Sequence, residues 1–269
     1  MTTIFQALAE LEEKGEAGVL CTIIRSRGST PRHSGSKMLV YSDGHFIGTV
    51  GGGEIENRVI AEALQSLVDG HPKILSYNMV NPQEGDPGVC GGTVEVYLEP
   101  ILPQSSLLII GGGHVGKAVA HLAKWLNFRV LVSDDRPEFC TPELNPDADA
   151  FFPVTMADLP TQLQITPQTY IVLTTRGVSI DVPGLPALLD SPAAYIGIIG
   201  SKRRWMTTRK TLLEAGIPEA KLNCVVSPIG LELNAETPEE IAVSIMAEII
   251  MLRNGGSGNR MYIGDETAG

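Results

Sequence analysis

Residues 107–135 read LLIIGGGHVGKAVAHLAKWLNFRVLVSDD, and this stretch decides the fold. An apolar run, Leu107 to Ile110, has the length and β-branched character of a buried strand. Gly111, Gly113 and Gly116 follow in G-x-G-x-x-G register, then an amphipathic helix to about Leu126 and a second strand, Arg129 to Ser133, that ends on Asp134. Each part suits a dinucleotide: Gly111 for the tight turn, Gly113 for close backbone approach to a pyrophosphate, Gly116 for close helix–strand packing. The helix N-terminus offers unpaired N–H groups to phosphate, and an acid about twenty residues on suits ribose hydroxyls. Asp134 occupies that place, and Arg136 beside it weakens the preference against a 2′-phosphate. The stretch predicts a Rossmann-type domain, with NAD(P) or another adenine nucleotide as its candidate ligand.

Working outward, 269 residues suffice for two domains, and the composition, 43% apolar and 19% charged, is that of a globular protein. No apolar run reaches the roughly 18–20 residues of a membrane span, and the N-terminus reads as an acidic amphipathic helix, so a cytoplasmic location is expected. A net charge of −11 argues against nucleic-acid or anionic-membrane partners. Two local basic clusters, Arg25, Arg27, Arg32 and Lys37, then Lys202, Arg203, Arg204, Arg209 and Lys210, suggest a small anionic ligand instead. The four cysteines show no zinc-like spacing. Cys21 and Cys224 lie in strand-like runs and are expected in the core. Cys90 differs, sitting in a glycine-rich turn before a strand, where neighbouring N–H groups stabilise a thiolate.

Upstream, helix 3–14 and a strand from Gly18 to Arg25, apolar on both sides and therefore central, lead into the loop RSRGSTPRHSGS. A hairpin at Ser42-Asp43-Gly44 joins strand 37–41 to strand 45–50. Gly51, Gly52, Gly53 and Glu54 then open a helix to about Val68, and three consecutive glycines there favour N–H groups facing an anion or an oxygen-rich ligand. Strands near 73–79 and 93–99 flank the loop NPQEGDPGVCGG. The first domain, residues 1–102, is thus a small α/β unit whose three ligand-type loops, 26–36, 51–54 and 84–92, leave strand ends. Residues 102–106 form the linker.

Downstream, short strands and helices alternate through residues 107–253, predicting a doubly wound parallel sheet. Helix 182–190 follows strand 170–174. Strand 194–199 ends at Gly200-Ser201, and Ser201, Lys202 and Arg203 open the next helix at a sheet end that borders the ligand crevice. Thr237-Pro238-Glu239-Glu240 announces the last helix, with Ile241, Ile245, Ile249 and Leu252 as its buried stripe. Residues 254–269 read as a mobile tail.

Taken together, GSTPRHSGSKMLV, GTVGGGEIE, GDPGVCGGTVEVYLEP, LLIIGGGHVGKAVA with SDDR, AYIGIIGSKRR and SPIGLELNAETPEEIAVSIMAEII resemble the xanthine dehydrogenase accessory (XdhC/CoxI) family. The resemblance runs to about Arg253. It implies a chaperone that binds the molybdopterin form of the molybdenum cofactor, supports its sulfuration with a cysteine desulfurase, and delivers it to an apo-xanthine dehydrogenase or related molybdoenzyme. Carried over by motif position, Arg32, Gly51, Gly52, Gly53, Glu54 and Cys90 form the cofactor-handling site, with Cys90 as molybdenum ligand or sulfur relay. An inert turn cysteine and a helix-capping Glu54 are the bland alternatives. His114, beside the helix N-terminus, matches the family's form and is a hydrogen-bonding candidate. Where family members often carry a Thr-His pair after the strand TYIVLTT, this chain has Thr175 and Arg176, which puts proton or hydride chemistry there in doubt.

The competing function is an NAD(P)-dependent oxidoreductase, for which no His or Tyr-x-x-x-Lys arrangement in a suitable loop is found. A pure scaffold for the target enzyme is the third reading, and a homodimer is left open.

Overall fold

The computed structural model describes residues 3–79 and 91–261. The chain divides after Pro103 into two compact units.

The first unit runs α1 (Ile4–Lys14), β1 (Gly18–Arg27), β2 (Lys37–Tyr41), β3 (Phe46–Gly48), α2 (Gly53–Asp69), β4 (Lys73–Asn78) and β5 (Thr93–Ile101). Its five strands pair antiparallel in the order β3-β2-β1-β5-β4, with β1 in the middle. Alternation along the strands sends Val19, Cys21, Ile23, Val94, Val96 and Leu98 to the face covered by Ile55, Val59 and Ala63 of α2. On the opposite face Ala7 and Leu11 of α1 close over Leu39. Each Val, Leu or Ile among these stabilises by roughly 1.5–3 kcal/mol once fully buried. Burial pushes the Cys21 thiol up to about 12, so it stays protonated in the core.

The second unit runs β6 (Ser106–Ile110), α3 (His114–Trp125), β7 (Arg129–Ser133), β8 (Ala150–Phe152), α4 (Leu159–Gln162), β9 (Thr169–Leu173), α5 (Val178–Gly184), β10 (Tyr195–Ile198), α6 (Lys202–Glu214), α7 (Glu219–Leu222), β11 (Val225–Val226) and α8 (Pro238–Asn254). All six strands are parallel, in the order β8-β7-β6-β9-β10-β11. In chain order within the unit this is 3-2-1-4-5-6, with the switch point between β6 and β9. Leu107 and Ile109 face a core shared with α3 and α8, while Leu108 and Ile110 face the core on the other side with Leu159, Leu185 and Leu212. A strand buried on both faces reads as an unbroken apolar run, and β6 does. Among the described residues, no helix is long and apolar enough to cross a membrane.

Several expectations are corrected. Cys224 is exposed, because residues 219–222 form α7 and only Val225 and Val226 remain for β11. The helix expected over 182–190 begins at Val178, so that Pro183 falls inside it and a 3₁₀ turn over 185–187 follows. On α8 the buried stripe is Ala242, Ile245, Met246 and Ile249, whereas Leu252 is exposed. The tail beyond Met261 lies outside the described residues.

Candidate functional site

In the first unit the glycine loops meet at one end of the sheet. Gly28 is tight against Gly91 and Gly92: a β-carbon there would lie 3.1 Å from the Gly91 carbonyl oxygen. In turn a β-carbon on Gly92 would lie 2.3 Å from the Ser29 carbonyl oxygen, so neither position admits a larger residue without moving backbone. Gly51 packs beside Pro31 of the same loop. Loops 28–36 and 51–53 and the Gly91–Gly92 turn are thereby brought together. Cys90 lies outside the described residues.

The glycine triplet itself is built from left-handed backbone, with φ of +151° at Gly51, +81° at Gly52 and +61° at Gly53. Open space surrounds the missing β-carbons of Gly52 and Gly53, and Gly52 caps α2 without any side-chain hydrogen bond. Glu54 does not cap α2: its carboxylate accepts from Arg58 Nε at 3.0 Å, one turn on. Glu56, which sequence reasoning passed over, is the residue that holds the turn, accepting from Thr49 Oγ1 and from the Val50 N–H at 3.2 Å. Arg32 is exposed on its loop, whose Thr30 hydroxyl donates to the Arg32 carbonyl at 2.8 Å. Of the first basic cluster, Arg25 is paired with Glu95 at 2.9 Å, while Arg27 and Arg32 have no acidic partner among the described residues.

In the second unit the glycine turn follows β6. Gly111 has φ +116°, and its missing β-carbon leaves room for the Thr174 carbonyl. Gly116 lets α3 approach that turn, since a β-carbon there would meet the Gly111 carbonyl oxygen at 2.0 Å. Gly113 caps α3 in extended backbone with no side-chain hydrogen bond and nothing near its missing β-carbon.

Asp134 lies at the end of β7, and its carboxylate is consumed by its own chain. Oδ2 accepts from the Gly112 N–H at 3.0 Å, and Arg136 donates to both oxygens from Nε and Nη2 and to Oδ1 from its N–H, each at 3.0 Å. Burial pushes this carboxyl up, but the Arg136 side chain, the two N–H groups and the guanidinium charge outweigh it and hold the carboxyl below its ordinary value. Above it, Arg176 donates to Asp135 at 2.7 and 3.0 Å. The cavity enclosed by Asp134, Asp135, Arg136, Thr174, Arg176 and Gly111 holds about 30 Å³, against the roughly 300 Å³ or more of a ligand pocket.

The second basic cluster is largely neutralised: Arg204 pairs with Asp181, Arg209 with Glu219 and Lys210 with Glu214. Lys202 and Arg203 are exposed at the start of α6, where the Ser201 hydroxyl accepts from the Arg204 N–H at 3.2 Å as the helix cap. Arg204, expected only as part of a basic cluster for an anionic ligand, has instead a structural role that sequence reasoning missed. Its guanidinium donates to fully buried Asp181 at 2.7 and 3.0 Å, and to the Thr175 carbonyl at 3.1 Å, fixing the turn after β9. The available signal was Asp181 itself, an acid inside the apolar run VSIDVPGL. His114 stands apart from the crevice residues, lining a groove of about 450 Å³ between α3 and α8 with Lys117, His121 and Val243.

An open parallel sheet in this order, with a glycine turn after its first strand, defines a Rossmann-type unit. The model of the XdhC Rossmann domain matches residues 107–249 and that of the XdhC and CoxI family matches residues 11–78, so the chain belongs to the XdhC family. It is 35% identical over 260 residues to the uncharacterized protein YqeB of Escherichia coli K12, covering 96% of this chain and 48% of that one. A Bacillus subtilis protein, a probable xanthine dehydrogenase component, is 34% identical over 161 residues, 60% of this chain and 47% of the relative. The chain thus spans about half the length of these two relatives. The molybdenum cofactor insertion chaperone PaoD of Escherichia coli K12 is 23% identical over 93% of this chain and 88% of its own. Among solved structures, a xanthine dehydrogenase of Bacillus halodurans superposes with a TM-score of 0.50 at 25% identity, covering 95% of this chain and 97% of that one.

Proposed function

We propose that this protein is a maturation factor for a molybdoenzyme: it binds the molybdopterin form of the molybdenum cofactor, supports its sulfuration with a cysteine desulfurase, and passes it to a xanthine dehydrogenase-like apo-enzyme. The observation that carries this reading is the convergence of the glycine loops at one end of the first unit's sheet. Molybdopterin has a phosphate and an oxygen-rich pterin, which call for N–H donors and cations. The open Gly52–Gly53 turn at the start of α2 supplies the donors, and Arg27 and Arg32 supply the charge. Cys90, next in sequence to Gly91 of that loop cluster, is the proposed thiolate ligand or sulfur relay. The chaperone name of PaoD supports the same reading.

The test is retention of molybdopterin by the purified chain after gel filtration, with the pterin quantified by fluorescence. Arg32→Ala is expected to weaken retention by about tenfold, the effect of losing one charge-assisted bond of roughly 1.5 kcal/mol, and Cys90→Ala to weaken it through loss of the thiolate. Retention equal to the parent chain in both variants would remove these residues from the site.

A further inference from the structure

Helix α8 wears its polar residues on the inside. Between Ile241 and Leu252 its only polar side chains are Ser244 and Glu248, and both are buried. The Ser244 hydroxyl donates to the Leu231 carbonyl at 2.5 Å, and the Glu248 carboxylate accepts from the Tyr195 hydroxyl and, at 2.8 Å, from the Gly230 N–H. The positions that solvent reaches over the same span, Ile241, Val243, Ala247, Ile250, Met251 and Leu252, are all apolar. Val243, Ala247 and Ile250 recur at i, i+4 and i+7, so they form one row along the outward face. A surface helix turns its polar residues outward, whereas one that is apolar all round has neighbours on both sides. On its inner side α8 has them, in α3 and the parallel sheet.

The outer side continues onto α3. Trp125 is 79% exposed one turn beyond His121, and Val243 across the groove is 48% exposed. Tryptophan is among the residue types that anchor protein–protein contacts. The groove of about 450 Å³ between the two helices is apolar along Ala118, Leu122 and Val243, and its walls differ in charge. Lys117 stands on the α3 wall and Glu239 on the α8 wall, and neither side chain has a hydrogen bond or ion pair among the described residues. A partner of one charge sign would match one wall and oppose the other. A second copy of this chain matches both, because a two-fold axis along the groove lays α3 of each copy over α8 of the other. Lys117 of each copy then faces Glu239 of the other, twice over.

We propose that this face of the second unit is the contact of a symmetric dimer, with the α8 row and Trp125 at its apolar centre and the Lys117–Glu239 pairs at its rim. Seventeen residues of α8 beside α3 give a footprint of about 25 by 20 Å, or about 1,000 Å² over both copies, at the lower edge of specific interfaces. The contact is independent of the cofactor reading for the first unit.

Sedimentation equilibrium of the full chain, from about 1 to 200 µM, tests this. The parent is expected to pass from one chain to two across that range. Val243→Glu sets an unpaired charge in the middle of the contact and should raise the dissociation constant at least about thirtyfold. Lys117→Glu and Glu239→Lys each oppose like charges at two places and should raise it about tenfold. Mixed in equal amounts, these two variants should associate within about threefold of the parent, because every rim contact again joins opposite charges. Mixing cannot restore a contact made within one chain. A parent that stays a single chain throughout overturns the dimer and leaves the face to a different kind of partner. A dimer unmoved by Val243→Glu overturns the face, and no recovery on mixing overturns the two-fold arrangement. All three substitutions lie on exposed side chains, and thermal unfolding of each variant confirms that it is folded.

Discussion

At the residue scale the most consequential side chain is Asp134, whose role differs from the one its position suggests. Both oxygens are spent on the Gly112 N–H and on Arg136, so its first task is to shape the crevice. Because its folded carboxyl is held below the ordinary value, its contribution to stability is fully present above the unfolded value of about 3.9 and is lost as pH falls through the folded one. Asp134→Asn should therefore destabilise the second unit at pH 7 by about 3 kcal/mol, the low end for breaking a buried pair, because Arg136 can still reach water. In urea unfolding the gap from the parent should hold above about pH 4 and shrink as pH falls below it. A gap that stays constant through that fall would mean that the carboxylate's charge is not what stabilises the turn.

The position of Asp134 was legible in the sequence, but its partners were not, because Arg136 is equally compatible with facing a ligand. Glu56 and Arg204 were unreadable for a related reason. One acid or base among several in a helix gives no sign of which one folds back onto a turn, and tertiary geometry alone makes Glu56 rather than Glu54 the anchor. Buried acids did leave a trace. Asp181 in VSIDVPGL and Glu248 in IMAEIIM each interrupt an apolar run, and the structure gives both partners, Arg204 for the first and Tyr195 with the Gly230 N–H for the second.

At the element scale the glycine fingerprint separates into positions with different physical duties. Gly116 is a packing glycine: an added β-carbon would run into backbone, the Gly111 carbonyl, which no side-chain rotation relieves. Gly113 is an open one, with φ −73° and nothing near its missing β-carbon. Gly116→Ala is expected to lower stability by about 1–3 kcal/mol as α3 is pushed off β6, whereas Gly113→Ala should cost less than about 1 kcal/mol, the loss expected at a helix cap. Thermal unfolding of the two variants side by side decides it, and equal losses would refute the division of duties. Long, periodic elements such as α3 and α8 were read close to their true ends, since capping and apolar spacing are local signals. The region after β9 was misread because α5 starts at Val178, just past the Gly177 cap, where nearby Thr175 and Asp181 are fixed by Arg204 from a distant helix.

At the scale of the molecule, each unit holds its own apolar clusters among the described residues. Every residue of the two clusters around the antiparallel sheet lies between Ile4 and Ile101, and every residue of the two clusters around the parallel sheet lies between Leu107 and Ile249. Two chains cut after Pro103 should therefore each fold, because each compact unit holds its own apolar clusters among the described residues. Circular dichroism melts of residues 1–103 and 104–269 should each show one cooperative transition, and a fragment without a transition would show that its core depends on the other. The separation also bears on function: if the glycine loops of the first unit handle molybdopterin, pterin retention should follow the first fragment. Pterin retention found only when both fragments are mixed would place part of the cofactor site on the second unit, and the convergence of loops around Gly28, Gly51 and Gly92 would then be half of a site rather than all of it.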